Sequence, residues 1–522
     1  MTDGSPVKLV EEAPAGSGEP TNLAPEPGGT SLHPTASPGL AGRVVKNVAA
    51  IMGGRGLSLM FSAGANVLLA RLLGSERLGQ FGAIYAYLAL FGWLATFGFE
   101  PVLVREISRE RRGAASLVHT AVVLSLFLSL GTVAVALFLA PRAGYAGYLW
   151  TLLALAAVEY ALTPLRLPAV IFQVDLRQWY GATINVVRQG AWLAIISVLW
   201  VLKAPLLYVV AGRVASALLE SLLLWIYGRR LLQQAGRFLR ERAGMIFSHS
   251  FPLAFTSLLV TIYLRIDQVM LHKMASDYSL GQYVAAVRVS ELFEALPAAS
   301  MVTLAPIWAV SVADPEKFSG YVDRAFRYLM IVASALCVVL TVGARLVVRV
   351  LYGRQFLPAA PLLAVLIWSE IAVFFSAVVV NVLIAGNKQR LLPIPTIFGA
   401  AINIGLNLFW IPRYGAAGAA WATLVSYTLA WMVCLLFFKQ TRSVAWRGIL
   451  FAVPIAALAL LSVGCAAILP VAEVLKVLAA CVIFGVGIWV AGFIRKSELQ
   501  NGFRILREHL GSSLIIVGGE EV

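Results

Sequence analysis

Eleven ionisable side chains lie inside stretches otherwise apolar enough for hydrocarbon, and the chemistry this sequence can do rests with them. Five are arginines: Arg55, Arg188, Arg213, Arg265 and Arg288. Six are carboxylates: Asp267, Glu291, Glu294, Glu159, Glu220 and Glu370. An ionised group at the centre of a membrane helix costs about 2.5–3.5 kcal/mol on insertion scales, so such groups face a bundle interior, a wet cavity or a partner. A guanidinium offers phosphate a fixed, two-pronged donor set. Several arginines around one cavity therefore suit an anionic headgroup, whereas a cavity for cationic drugs would be acidic or aromatic. The carboxylates are candidates for ion coupling or for structural ion pairs.

Spacing sharpens these readings. Arg55 is about eight residues inside the first apolar run, roughly 12 Å deep at the helical rise. Gly53, Gly54 and Gly56 surround it and let other backbones approach. Both substrate contact and snorkelling toward the headgroups suit it. Arg265 and Asp267 are two apart and point to different sides of a helix. Asp267 and Arg288 fall at similar depth on adjacent runs, which predicts an interhelical pair. Arg288, Glu291 and Glu294 follow one another at one-turn spacing, and Arg213 and Glu220 share a helix face.

Other chemistries lack their motifs. "GGRG" at Gly53–Gly56 has neither the Lys-Ser/Thr nor the preceding strand of a nucleotide-binding loop. The five histidines are scattered without metal spacing, and Cys337, Cys434, Cys465 and Cys481 fit no disulfide framework or zinc site. The expectation is a transporter rather than an enzyme, with no cofactor. Its drive would be a proton or sodium gradient or the membrane potential. A net charge of +15 raises nucleic acid as a partner, but the cations sit in short breaks between apolar runs and form no single patch. Anionic membrane lipids are the better match.

The elements that must position these groups are membrane helices. Of 522 residues, 60% are hydrophobic and 13% charged, against about 25% charged in soluble domains. A span needs about 20 apolar residues, and continuous rather than alternating runs specify helix over barrel. The sequence predicts an all-α polytopic membrane protein of about fourteen spans between residues 47 and 494. The seventh span is expected at 249–272. The eighth, at 281–310, is long enough to kink at Pro297 and Pro306. Alternate loops are rich in arginine and lysine, which predicts both termini on the cytoplasmic side.

"LGQF" at Leu78 opens the second span and "LGQY" at Leu280 opens the eighth. Six spans separate them, so both copies run in one direction. That predicts two like-oriented six-helix lobes around a central cavity. The expected organisation is a disordered tail (1–42), an N-lobe (43–228), a basic linker (229–248), a C-lobe (249–440), two extra spans (441–494) and a cytoplasmic tail (495–522). The linker "GRRLLQQAGRFLRERAG" suits either a short amphipathic surface helix or a solvated connection. The stretch from Arg495 suits a second surface helix.

Three stretches carry a family resemblance. They are "ARLLGSERLGQFGAIYAYLALFGWLATFGFEPVLVREISR", "YLRIDQVMLHKMASDYSLGQYVAAVRVSELFEALP" and "GNKQRLLPIPTIFGAAINIGLNLFWIPRYGAAGAAWATLVS". Over about residues 44–440 the sequence resembles bacterial polysaccharide flippases of the multidrug/oligosaccharidyl-lipid/polysaccharide exporter superfamily. The resemblance implies two lobes making a V-shaped cavity in the cytoplasmic (inner) membrane. It implies translocation of undecaprenyl-pyrophosphate-linked oligosaccharide by alternating access. It implies that Arg55, Arg265 and Arg288 meet the headgroup, with Asp267 in the matching "RID" stretch. Polysaccharide polymerase and assembly machinery are the implied protein partners. The alternatives are a cation-coupled multidrug antiporter of the same superfamily and a membrane-embedded glycan polymerase or ligase. The latter normally carries a large catalytic outer loop, and no loop here is long enough to hold one.

Overall fold

The structure is a computed structural model that describes residues 38–232, 236–312 and 314–494. Side chains are described from Gly53, except those of residues 303, 305, 306 and 309. Of the expected tails, residues 1–37 and 495–522 lie outside the described residues, and residues 38–42 are already helical. The chain divides into two units, Met1–Lys46 and Asn47–Val522, and the packing and the cavity belong to the second.

No strand occurs among the described residues. Twelve of the described helices are long and apolar enough to cross a membrane. The first two expected spans run together in one of these, Gly53–Arg109. Within it, α1 (Pro38–Thr96) bends at Gly74, where φ is 69° and ψ is 178°. This left-handed φ favours glycine, which has no Cβ to clash. A second glycine, Gly98 (φ 67°), turns the chain into α2 (Phe99–Arg109).

α3 is Ala114–Leu139 and α4 is Tyr148–Ala161. After α4 the chain tightens into a 3₁₀ segment, Thr163–Ala169, before the short α5 (Val170–Val174). Pro164 and Pro168 lie in that segment and remove backbone donors. α6 (Trp179–Val201) and α7 (Leu206–Leu232) complete the first half.

For the linker, the sequence left a surface helix and an irregular connection both open. No separate surface helix forms among its described residues. α7 continues to Leu232, residues 236–239 are irregular, and α8 (Arg240–Met274) begins nine residues before the predicted seventh span. The connection is pinned to α3. The Leu239 amide donates to Thr120 Oγ1 at 2.9 Å, and the Arg237 amide to Ser116 Oγ at 3.2 Å.

The eighth expected span is broken. α9 (Asp277–Glu291) begins at Ser276, whose hydroxyl accepts from the Ser279 amide. A 3₁₀ turn, Leu292–Glu294, separates it from α10 (Ala295–Ser311). The break lies one turn before Pro297, where the proline ring crowds the carbonyl of residue 293. The side chain of Pro306 lies outside the described residues.

The second half continues with α11 (Pro315–Val342), α12 (Ala344–Tyr352), α13 (Ala359–Leu366), α14 (Ser369–Ala385), α15 (Pro393–Tyr414) and α16 (Ala416–Thr428). Asp314 caps α11. The Lys317 ammonium, then the Lys317 amide, hold its carboxyl below the usual carboxylate range.

Two cores hold the helices together. One joins Ala83, Ile84 and Tyr87 of α1 with Leu280, Tyr283 and Ala286 of α9, so helices bearing the two repeated phrases share one core. The other packs Phe326 and Met330 of α11 against Phe374 and Phe375 of α14. It also includes Ala452 of α17 (Lys439–Ile468) and Phe484 of α18 (Glu473–Val490). Fully burying each large apolar side chain is worth about 1.5–3 kcal/mol when water is the reference. Much of the remaining surface is apolar, with Phe127, Phe138, Val310 and Val482 all exposed, as lipid-facing helices require.

Candidate functional site

A cavity of about 1520 Å³ opens between the helices of the first half and α8. α1 contributes Arg55, Ser58 and Ser62 at i, i+3 and i+7, one continuous helix face. α6 contributes Asn185 and Gln189, and Gln178 precedes its first turn. α8 supplies Thr256, Ser257 and Thr261, and the α4 end and 3₁₀ segment supply Glu159, Tyr160 and Arg166. Glu100 and Gln173 form part of the wall and hydrogen-bond to each other.

Of the five arginines singled out in the sequence, Arg55 lines this cavity. It is exposed and makes no ion pair or hydrogen bond with another described residue. The other four are held by carboxylates. Arg188 Nε lies 3.2 Å from Glu220 Oε1 and Arg213 Nε lies 3.4 Å from Glu159 Oε1. Arg265 and Arg288 share Glu291, at 2.9 Å from Oε1 and 3.3 Å from Oε2. Glu159 also accepts from the Tyr85 hydroxyl at 2.8 Å, and Arg213 lies over the Tyr85 ring at 4.4 Å.

The expected pair between Asp267 and Arg288 does not form. Asp267 instead accepts from the Tyr283 hydroxyl and the Gln268 amide, and Tyr283 contacts Thr423 Oγ1 at 3.1 Å. The two residues do sit on neighbouring helices, but Arg288 is turned toward Glu291 one turn along α9. Arg213 and Glu220 share a face of α7 as expected, yet each pairs with a different helix. Glu294 makes no ion pair or hydrogen bond with another described residue, and its neighbour Ala295 touches the cavity. Glu370 is buried. One of its oxygens accepts from Ser290 Oγ at 2.7 Å and the other has no partner.

Sequence reasoning missed Arg166. Its Nη2 lies 3.5 Å from Glu220 Oε2 and its Nε donates to Ser221 Oγ at 3.0 Å. A charge flanked by two prolines inside an apolar run was the available signal. Glu220 is therefore held by two arginines, as Glu291 is. Gln178, Asn185 and Gln189 were missed because uncharged amides barely register in a hydropathy pattern.

No group of three or more His, Cys, Asp or Glu arranged to hold a metal ion occurs among the described residues. A separate polar file runs through the second half. Asn407 Nδ2 donates to Asn403 Oδ1 at 2.8 Å, and Asn403 Nδ2 donates to Ser426 Oγ at 3.1 Å.

These helices and this cavity define a multi-pass helical membrane protein. The family described as polysaccharide biosynthesis protein matches residues 44–310, which is 267 of the 522 residues, and the chain belongs to that family. It is similar to the probable low-salt glycan biosynthesis flippase Agl15 of Haloferax volcanii, at 23% identity over 387 residues, 71% of this chain and 79% of that protein. It is also similar to the uncharacterized membrane protein MJ1068 of Methanocaldococcus jannaschii, at 24% identity over 119 residues. That match spans 23% of this chain and 24% of the relative. The fold is shared with a lipid II flippase, MurJ, in an inward closed conformation. The TM-score is 0.68 at 15% identity, with 86% of this chain and all of that chain covered. It is shared too with an inward-facing multidrug resistance MATE family transporter of the MOP superfamily. There the TM-score is 0.62 at 14% identity, covering 75% and 96%.

Proposed function

We propose that the protein is a flippase that carries a polyprenyl-linked oligosaccharide across the cytoplasmic membrane by alternating access, without covalent chemistry. The single observation that supports this most is the large cavity with Arg55 on its wall, unpaired with any other described residue. The family and the name of one relative, a probable glycan biosynthesis flippase, point the same way, and undecaprenyl pyrophosphate is the carrier the sequence resemblance implies.

The headgroup enters the cavity while the polyprenyl tail stays in lipid, which avoids about 0.8 kcal/mol per CH₂ exposed to water. Arg55 meets the phosphate first. Arg166 follows, since Glu220 keeps Arg188 when Arg166 leaves it. The two halves then rock about the site. The drive is an ion gradient, the membrane potential or removal of product. A potential of 100 mV supplies about 2.3 kcal/mol per charge moved. Glu370, with one oxygen unpartnered, is the carboxyl we assign to proton coupling, and Asp267 the one we assign to a structural bond. Anionic lipids would contact the arginine-rich loops, and a polymerase would take the product.

The test is reconstitution in vesicles with a fluorescent polyprenyl-linked oligosaccharide. Wild type should transfer it at least tenfold faster than protein-free vesicles, and Arg55→Ala should lose most of that rate. Transfer no faster than in bare vesicles would sink the reading. Efflux of cationic drugs with Arg55 dispensable would favour the antiporter, for which Glu100 would be the counter-ion.

A further inference from the structure

We infer that the facing sides of α1 and α6 form a glycan subsite that selects uncharged sugars next to a single anionic group. The inference rests on the flippase reading and adds the class of sugar to it.

α1 and α6 run parallel in close register. A Cβ on Gly54 would lie 3.4 Å from the Cβ of Ala182, one on Gly190 would lie 3.4 Å from Phe61, and one on Gly64 would lie 3.5 Å from Leu193. The offset is 128 or 129 residues at each point. This register brings Ser58 to within one or two residues of the height of Asn185, and Ser62 likewise to Gln189. Both pairs line the cavity, with Arg55 one turn before Ser58 on α1 and Gln178 at the N-terminal end of α6.

None of these five uncharged side chains hydrogen-bonds to another described residue. Serine in a helix usually bonds back to the carbonyl four residues before it, as Ser197 and Ser221 do here. Ser58 and Ser62 do not, and their hydroxyls remain available. An amide offers two donors and an acceptor, and a hydroxyl offers one donor and two acceptors. Such groups match sugar hydroxyl and acetamido groups.

The ladder contains no cation beyond Arg55. Arg166, the other arginine on the cavity wall, is held by Glu220, so an acidic sugar placed along the ladder would bring in a carboxylate with no free cation to pair it, which is costly. Glu100 on the same cavity would repel it further. A neutral sugar leaves nothing unpaired, and Glu100 can accept from its hydroxyls.

The experiment measures binding to the full-length protein in detergent with three short-chain probes. They are citronellyl pyrophosphate, the same lipid carrying an uncharged N-acetylhexosamine disaccharide, and the same lipid carrying a disaccharide with a uronic acid. Wild type should bind the neutral disaccharide probe at least tenfold more tightly than the sugar-free lipid, and the acidic probe no better than the sugar-free lipid. The Asn185→Leu/Gln189→Leu double variant should lose the sugar-dependent increment. It should keep sugar-free binding, which also reports that it has folded. Equal binding of neutral and acidic probes overturns this inference alone. So does retention of the increment in the double variant. If wild type binds none of the three, the flippase reading falls and this inference falls with it.

Discussion

Gly79 and Gly281 meet backbone to backbone, and each is the glycine of the same repeated phrase. A Cβ on Gly79 would collide with the Asp277 carbonyl and lie 2.9 Å from the Gly281 amide nitrogen. A Cβ on Gly281 would collide with the Ser75 carbonyl and lie 3.1 Å from the Gly79 amide nitrogen. Ser75 and Asp277 are 202 residues apart, and so are Gly79 and Gly281. The contact is therefore reciprocal, the mark of a two-fold relation between α1 and α9. Gly79→Ala and Gly281→Ala should each force the crossing open by a similar amount. Overpacking of this kind costs about 1–3 kcal/mol. Both variants should melt below wild type in detergent, and by similar margins. A wild-type melting temperature in either would show that the crossing yields without strain.

The same crossing can be locked. A Cβ on Gly82 would lie 3.7 Å from the Cβ of Val284, inside the range of about 3.5–4.5 Å that disulfides need. In a background with the four native cysteines replaced by alanine, Gly82→Cys with Val284→Cys should cross-link readily on oxidation. If the halves must part here during transport, oxidation should stop transfer of the lipid-linked probe and a reductant should restore it. Unchanged transfer in the fully oxidised protein would mean that this crossing stays shut throughout the cycle.

Helices were legible in the sequence because hydropathy over about 20 residues is a strong, additive signal. The break before Pro297 was legible to within a turn, since the ring acts on the carbonyl four residues back. Partners were less so. Asp267 and Arg288 were placed on neighbouring helices by counting residues, but counting along an axis does not give rotation about it. Tyr283, on the same helix as Arg288, took the carboxylate. The apparent surplus of arginine had a similar origin. Arg188, Arg213, Arg265 and Arg288 each find a carboxylate from another helix or the next turn. The cavity wall stayed hidden because Asn185 and Gln189 carry no charge to mark them.

Arg166 and Arg188 share Glu220 but should respond differently to removal. Arg166 lines the cavity, and Arg188 does not. Arg166→Ala leaves Glu220 paired with Arg188 at 3.2 Å, so the protein should melt near the wild-type temperature while transfer of the pyrophosphate-linked probe falls about tenfold or more. Arg188→Ala removes the less exposed partner, so its larger effect should be on melting. Equal effects of the two substitutions on both measurements would mean that Arg166 serves structure alone.

Glu291 is the acid of the second such trio, between Arg265 on α8 and Arg288 on α9. Removing it leaves two guanidiniums facing each other inside the bundle. Deleting one partner of a fully buried pair costs about 3–5 kcal/mol, and less here because these side chains are 27–34% exposed, while replacing the whole group by apolar side chains is often neutral or stabilising. Glu291→Leu should therefore lower the melting temperature. The triple variant Arg265→Leu/Arg288→Leu/Glu291→Leu should recover most of it. If these charges serve transport, the recovered protein should still fail to move the lipid-linked probe. A triple variant that is as unstable as Glu291→Leu would mean that packing at these positions, rather than the stranded charge, sets the loss. A triple variant that is stable and fully active would remove Arg265 and Arg288 from the headgroup site.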